Sequence, residues 1–215
     1  MKDRKLLNGF YNYTVVLTYI GMLLGLFGIS RAIEGDFRGT VIFLMFAGLC
    51  DMFDGAIAST RERTDSEKRF GIQIDSLSDL ICFGVLPAVY VYVASGRSKA
   101  ALICGGFYAL CGLIRLAYYN VCEEERQLEE DCARKYFSGL PITAGAVIYP
   151  LAFIVGAVSS VDEKIMLPIV AGLTGLAFVL TFKLRKPKTF GKAVLAILAV
   201  SALVVIIGGF FGIKQ

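Results

Sequence analysis

Residues 38–58 read RGTVIFLMFAGLCDMFDGAIA, an apolar run long enough to cross a bilayer. A membrane-spanning helix needs about 20 predominantly apolar residues. Two aspartates, Asp51 and Asp54, nevertheless stand near the end of this run. Carboxylates at membrane depth are costly and are therefore usually kept for a function. The stretch predicts a transmembrane helix that carries an acidic site at one end.

Similar apolar runs recur along the whole chain. Hydrophobic residues make up 56% of the 215 residues, charged residues make up 19%, and the mean hydropathy is +0.68. These values exclude an ordinary soluble domain, a disordered chain and a secreted disulfide scaffold. We expect a single integral membrane domain over 1–215, an all-α polytopic bundle of about seven transmembrane helices (roughly six to eight). The expected spans are 10–29, 38–58, 73–94, 100–120, 141–158, 163–182 and 193–212.

The basic residues predict the orientation of this bundle. With these spans, the connections on one side carry fifteen Lys and Arg residues, and those on the other side carry six. The richer side holds the N-terminus and the loops 59–70, 121–140 and 183–192. Cytoplasmic loops carry the excess of Lys and Arg, so the N-terminus is expected in the cytoplasm. The net charge of +4 is then a signal of membrane topology and not of nucleic-acid binding.

The residue types that are missing from the sequence limit its chemistry. There is no His and no Trp, so serine and cysteine triads that depend on His are excluded. The six cysteines form no CxxC pair and most lie in apolar runs, which favours reduced thiols over a zinc site. A metal site would depend mainly on oxygen ligands and would favour Mg²⁺, Mn²⁺ or Ca²⁺.

Four aspartates on either side of the 59–70 loop form the candidate site. Asp51 and Asp54 are three residues apart and Asp75 and Asp79 are four apart, so each pair shares one helix face. The second span runs toward the cytoplasm and the third returns, so both pairs are expected at a similar depth. Carboxylates this close repel one another unless cations or protons intervene. The pattern predicts a divalent metal site suited to phosphoryl transfer from a diphosphate.

The stretch 51–79 resembles the signature of the CDP-alcohol phosphotransferase family, D-x2-D-G-x2-A-R-x8-G-x3-D-x3-D. The matching residues are, in order, Asp51, Asp54, Gly55, Ala58, Gly71, Asp75 and Asp79. The sequence departs from the signature at Ser59, where the family has Arg, and in the 11 residues, 60–70, that precede Gly71. The resemblance covers about residues 10–150, the expected catalytic core, and leaves 151–215 as C-terminal transmembrane helices.

Three stretches resemble one branch of this family, the phosphatidylserine synthases. They are the long interval 60–70 with the sequence that follows it, LIRLAYYN at 113–120, and FSGLPI at 137–142. The resemblance implies an enzyme that transfers a phosphatidyl group from CDP-diacylglycerol to L-serine and releases CMP. It also implies a homodimer in a bilayer, here expected to be a prokaryotic cell membrane, with the active site near the cytoplasmic face.

The resemblance further implies a role for each matching residue. The four aspartates, Asp51, Asp54, Asp75 and Asp79, would hold Mg²⁺ or Mn²⁺ on the diphosphate. Asp79 would also be the general base for the serine hydroxyl. The nucleotide and lipid diphosphate would be bound at Gly55, Ala58 and Gly71, with Ser59 at the position of the family Arg.

Four other residues are candidates for binding, each with a structural alternative. Arg61 would replace the missing Arg if the second helix continued that far, and otherwise it is only a cytoplasmic-side charge. Arg115 lies inside a span and would bind substrate phosphate or the serine carboxylate, or else neutralise an aspartate. Asn120 and Lys135 are candidates for the same acceptor site, and Lys135 is equally explained as an ordinary loop lysine.

Two other functions remain open from the sequence. The same chemistry could use another acceptor, such as glycerol phosphate or inositol phosphate. A cation-coupled transporter could use the four acids as an ion site, although the Asp-Gly pair at 54–55 and the spacing of the acids disfavour this function. Release of CMP from CDP-diacylglycerol separates the enzyme from the transporter.

Overall fold

The described helices overlap the expected spans, but some of them are longer than predicted: the third helix begins at Asp65 and the fifth continues to Leu128. The computed structural model describes residues 9–128, 136–159 and 161–185, together with positions 204, 206 and 208. The α-helices of the described residues are, in order, α1 (Val16–Glu34), α2 (Phe37–Ala58), α3 (Asp65–Asp79), α4 (Leu86–Ala94), α5 (Lys99–Leu128), α6 (Gly145–Val158) and α7 (Glu163–Val179). The all-α prediction is confirmed, and one short two-stranded ribbon is added to it.

Within the part of the chain that the structure describes, four continuous helical stretches are long and apolar enough to cross a membrane. They are Tyr13–Glu34, Phe37–Ala58, Asp65–Ala94 and Lys99–Glu125, and they correspond to the first four expected spans. The expected spans 141–158 and 163–182 are occupied by α6 and α7. The expected span 193–212 lies outside the described residues except for positions 204, 206 and 208, each of which is helical.

The third helix begins at Asp65 and not near residue 73, because a capping box stabilises its first turn. The backbone N–H of Thr64 donates to Oε2 of Glu67 at 2.9 Å, and the N–H of Glu67 donates to Oγ1 of Thr64 at 3.3 Å. Together the two bonds satisfy donors that a helix start leaves unpaired. The connection between α2 and α3 is therefore short and spans only residues 59–64.

A π-helical segment, Leu80–Val85, joins α3 to α4 directly after Asp79. Tyr108 of α5, which is fully buried, donates its hydroxyl hydrogen to the carbonyl oxygen of Phe83 in this segment at 2.6 Å. The ring of Tyr108 also packs edge-to-face on Tyr149 of α6, with centroids 5.5 Å apart. π-Helical turns are uncommon and occur often at functional sites. The core thus fixes the segment that follows the last aspartate.

Glycines on one face of α1 let this helix approach α2 and the α3–α4 helix closely. A Cβ added at Gly25 would lie 2.7 Å from Sγ of Cys82, and one added at Gly28 would lie 2.9 Å from Cδ2 of Leu86. Small residues permit such close packing of membrane helices. Because α1 contacts both α2 and α3, it holds the two acid-bearing helices in a fixed relation.

The segment that contains FSGLPI binds the end of α7. Strands β1 (Tyr136–Ser138) and β2 (Lys183–Arg185) pair antiparallel. The N–H of Gly139 donates to the carbonyl of Phe182 at 2.8 Å, and the N–H of Leu140 donates to that of Ala177 at 3.0 Å. Gly139 has φ +74°, and a Cβ there would lie 2.7 Å from the carbonyl oxygen of Leu180. This turn therefore requires glycine, and its backbone caps the C-terminus of α7.

Candidate active site

Three of the four aspartates, carried by α2 and α3, bring their carboxylates close together. One carboxylate oxygen from each of Asp51, Asp54 and Asp75 lies within 4.8 Å of the other two. Asp51 and Asp54 come from the last turns of α2, and Asp75 comes from the last turns of α3. The local i, i+3 spacing aligns the first two, and the short 59–64 connection returns the chain to the same depth.

Asp79 joins this cluster through Asp51. The carboxyl groups of Asp51 and Asp79 are within hydrogen-bonding reach of each other, and so are those of Asp54 and Asp75. All four line one small cleft between α1, α2 and α3. Paired carboxylates in an apolar surrounding need a shared proton or a cation between them. With several oxygen donors and no imidazole, the set fits a hard divalent cation such as Mg²⁺ or Mn²⁺.

A cavity of about 360 Å³ adjoins the acidic cluster. Its walls contain five of the residues expected at the site, namely Asp54, Gly55, Ala58, Gly71 and Asp75. A Cβ added at Gly55 would meet no atom within 4 Å, so this position faces open space. The cavity therefore provides open space directly beside the acidic cluster.

Ser59 and Arg61 do not line this cavity. α2 ends at Ala58, so the condition that would have brought Arg61 onto the acid-bearing face is not met. The Ser59 hydroxyl donates to the carbonyl of Ala56 at 2.7 Å. One guanidinium nitrogen of Arg61 lies 3.6 Å from Oε1 of Glu67, which also accepts a hydrogen bond from the side chain of Asn12 at 3.3 Å. The side chains of Ser59 and Arg61 are thus paired with neighbouring residues of the chain, outside the cavity.

Arg115 of α5 lies within electrostatic range of Asp79, but among the residues that the structure describes it forms no direct ion pair with the aspartates. Its side chain is buried, and its guanidinium carbon lies 4.3 Å from the centroid of the Tyr119 ring. Its Nε has no hydrogen-bond partner among the described residues. A buried guanidinium nitrogen without a hydrogen-bond partner is suited to an anionic ligand.

Asn120, another acceptor-site candidate, is separate from the cluster. Oδ1 of Asn120 accepts a hydrogen bond from the Ser76 hydroxyl at 2.8 Å, and both residues line a second cavity, of about 350 Å³, between α3 and α5. None of the four aspartates lines that cavity. Lys135 lies outside the described residues.

The structure adds a residue to the site that sequence reasoning missed, Thr18. Its hydroxyl donates to Oδ2 of Asp54 at 3.3 Å, and its carbonyl accepts a hydrogen bond from Ser78 of α3 at 3.3 Å. Thr18 is buried and lines both the acidic cleft and the larger cavity. The sequence did offer one signal for Thr18, since it is a polar residue in an apolar run, one turn before Gly21.

Arg63 and Lys68 also line the cavity of about 360 Å³. Because they lie in a loop and at the start of a helix, no helical periodicity in the sequence indicated them.

The acidic cluster and its cavity lie within a region that matches a known protein family. The sequence model of the CDP-alcohol phosphatidyltransferase family matches residues 11–213. The chain belongs to the CDP-alcohol phosphatidyltransferase family. With four helices able to cross a bilayer, this phosphatidyltransferase homologue is an integral membrane protein.

Individual relatives agree with the family assignment. An archaetidylserine synthase of Methanothermobacter thermautotrophicus is 30% identical over 78% of this chain and 68% of its own length. A CDP-diacylglycerol–serine O-phosphatidyltransferase of Methanocaldococcus jannaschii is 31% identical over 88% of this chain and 82% of its own length. The Mycobacterium tuberculosis enzyme with that name is 32% identical over 61% of this chain. The chain spans only 45% of that mycobacterial relative.

The contacts of Thr18 predict a measurable role in cation binding. Thr18→Val keeps the shape of the side chain but removes the hydroxyl that orients Asp54. Partners that orient metal ligands typically contribute about 10-fold or more to metal affinity. We expect Mn²⁺ binding, measured by calorimetry on the purified protein in detergent, to weaken by about that factor.

Two control variants isolate the hydroxyl of Thr18. Thr18→Ser retains a donor and should bind Mn²⁺ nearly as the native protein does. Thr40→Val removes another buried hydroxyl of this bundle, one that donates to the Asp36 carbonyl at 2.8 Å, and should leave Mn²⁺ affinity unchanged. If Thr18→Val binds Mn²⁺ with native affinity, Asp54 is held in place without the Thr18 hydroxyl.

Proposed function

We propose that this protein transfers a phosphatidyl group from CDP-diacylglycerol to L-serine, giving phosphatidylserine and CMP. The observation that carries the proposal is the acidic cluster at the edge of a cavity of about 360 Å³. Membership of the CDP-alcohol phosphatidyltransferase family supports the donor and the transferred group. The names of the relatives support serine as the acceptor, because archaetidylserine synthase and CDP-diacylglycerol–serine O-phosphatidyltransferase share it.

The proposed cofactor is Mg²⁺ or Mn²⁺, held by Asp51, Asp54, Asp75 and Asp79. A bound divalent cation would neutralise the diphosphate and the charge that develops on the leaving CMP. The carboxylates themselves fix where the diphosphate can lie, since they come from two helices that α1 holds together. Gly55 leaves the adjoining wall of the cavity open for the nucleotide.

Asp79 is the proposed general base and Arg115 the proposed site for the serine carboxylate. The serine hydroxyl oxygen would attack the phosphorus bonded to diacylglycerol, the bond to the CMP oxygen would break, and Asp79 would take the hydroxyl proton. The buried guanidinium of Arg115, whose Nε has no hydrogen-bond partner among the described residues, supports an anionic ligand at this position. Arg binds carboxylates through two parallel hydrogen bonds.

The lipid of the donor is the point on which the relatives differ. One relative is named for archaetidylserine and the others for transfer from CDP-diacylglycerol. A second candidate function is therefore the same transfer to serine from an archaetidyl donor. A comparison of turnover with CDP-diacylglycerol and CDP-archaeol decides between the two.

We also propose the orientation and assembly of the protein. The fifteen to six split of Lys and Arg supports a cytoplasmic N-terminus and an active site near the cytoplasmic face of a prokaryotic cell membrane. One catalytic domain over 1–215, with its core at 10–150, is consistent with the match over 11–213. A homodimer is proposed on family membership alone, and light scattering of the purified protein tests it.

The proposed reaction predicts CMP release that depends on both serine and divalent cation. Purified protein with CDP-diacylglycerol should release CMP when L-serine and Mg²⁺ or Mn²⁺ are present. Exhaustive chelation should abolish release, because the diphosphate and the four carboxylates would then repel one another. Release with glycerol phosphate or inositol phosphate in place of serine would reassign the acceptor. An absence of CMP release with every acceptor would favour the transporter.

Conservative variants separate the proposed base from the proposed metal ligands. Asp79→Asn keeps size and hydrogen bonding but cannot accept the proton, so turnover should fall by about 100-fold or more. This variant should still bind nucleotide. Asp75→Asn should weaken cation and nucleotide binding together, because it removes a charge from the cluster of three. If Asp79→Asn turns over normally, Asp79 is not the base. The same conclusion follows if both variants lose only cation and nucleotide binding.

The proposed orientation predicts which loops react with a membrane-impermeant thiol reagent. In a background without the native cysteines, Ser66→Cys at the start of α3 should be protected in intact cells and labelled after lysis. Val161→Cys, between α6 and α7, should be labelled in intact cells. Both positions are exposed in the structure, so access to the reagent depends only on the side of the membrane. The reverse pattern would invert the topology.

A further inference from the structure

The geometry points to Arg63 as the residue that binds a phosphate of the nucleotide substrate in this protein, with Gly71 making the space for it. This inference rests on the proposed function and gives the larger cavity a cationic residue that the family signature does not assign. Arg63 comes from the loop that connects α2 to α3 and lines the same cavity as Asp54, Gly55 and Asp75.

Arg63 differs from the neighbouring cations Arg61 and Lys68 because each of those two has an acidic partner. Arg61 lies 3.6 Å from Glu67, and Lys68 lies 3.7 Å from Asp65. Among the residues that the structure describes, Arg63 forms no ion pair and no hydrogen bond through its side chain, although it is partly buried. A guanidinium that is partly withdrawn from water and has no anionic partner is suited to an anionic ligand, and phosphate matches its planar fork.

Gly71 explains how the guanidinium reaches the cavity. A Cβ added at Gly71 would lie 3.1 Å from Nη1 of Arg63, closer than ordinary van der Waals contact. A side chain at position 71 would therefore crowd the guanidinium, which would have to shift by a few tenths of an ångström. Gly71 belongs to the family signature. In this chain, the lack of a side chain at Gly71 leaves room for the guanidinium of Arg63.

The local chain path explains why position 63 takes this role in place of 59 or 61. Helix α2 ends at Ala58, and the hydroxyls of Ser59 and Thr60 donate to the carbonyls of Ala56 and Ile57, both at 2.7 Å. These two residues are thereby committed to capping α2. Arg61 is held by Glu67, and Arg63 is the next cation along the loop before α3 begins.

Charge around the cavity fits a diphosphate with a cation. The lining carries both signs of charge, with the carboxylates of Asp54, Asp75 and Glu123 and the cations Arg63 and Lys68. A diphosphate bound in the cavity would meet a divalent cation held by the aspartates and the guanidinium of Arg63. Anchoring at more than one group orients a substrate as well as binding it.

The test measures binding of CDP to the full-length protein in detergent with Mg²⁺ present and no serine. Arg63→Gln should weaken CDP binding by about 10- to 150-fold, the usual range for a lost hydrogen bond between charged groups. Arg69→Gln is the matched control, because it removes the same charge from an exposed position outside the cavity lining. Its CDP affinity should be unchanged. Equal losses in both variants would indicate a general charge effect and overturn the inference.

Two further arms test the specific assignment. A large loss in Arg61→Gln with native affinity in Arg63→Gln would return the role to Arg61. Gly71→Ala should weaken CDP binding in the native background and add no further loss in the Arg63→Gln background. If Gly71→Ala costs the same in both backgrounds, Gly71 contacts the nucleotide directly and does not act through Arg63.

The CDP-binding test of Arg63 can fail or succeed independently of the CMP-release test of the proposed function. CDP binding in the absence of serine does not depend on the acceptor or on turnover. A protein that binds CDP through Arg63 but releases no CMP with serine would refute the proposed acceptor and leave this inference standing. Native protein that does not bind CDP would overturn the inference itself.

Discussion

Repulsion among carboxylates is the physical constraint around which this protein is arranged. Asp51, Asp54 and Asp75 approach within 4.8 Å in an apolar helix bundle, and Asp79 is in contact with Asp51. Charges at such separations interact strongly when little water screens them. The cluster persists only while protons or cations compensate it, and this requirement is what gives the site its suitability for a divalent cation and a diphosphate.

The helix packing keeps these groups together despite their repulsion. Glycines on α1 allow it to lie against α2 and the α3–α4 helix, with Gly25 in contact with Cys82. Thr18 on the same helix then bonds to Asp54 and, through its carbonyl, to Ser78. Tyr108 fixes the π-helical segment just after Asp79. Rigid helices of this kind hold a site more accurately than loops can.

The loop between α2 and α3 adds Arg63 to the lining of the cavity, which also holds Lys68 of α3. The first residues of this loop cap α2, Glu67 holds Arg61 and caps α3, and Arg63 is left facing the cavity. The departure from the family signature at Ser59 is therefore accompanied by a different source of positive charge. The same six-residue connection, 59–64, sets the depth at which the acids of α2 and α3 meet.

Local periodicity in the sequence determined the helices and the acid pairs, because three- and four-residue spacings align side chains on one helix without help from the rest of the chain. The family signature over 51–79 then indicated the chemistry. Tertiary structure alone decided that α2 stops at Ala58, that Arg61 pairs with Glu67, and that Asn120 bonds to Ser76 away from the cluster. It also gave FSGLPI a capping role at α7 through Gly139. These outcomes depend on helix ends and on contacts between residues distant in the chain, which no local spacing specifies.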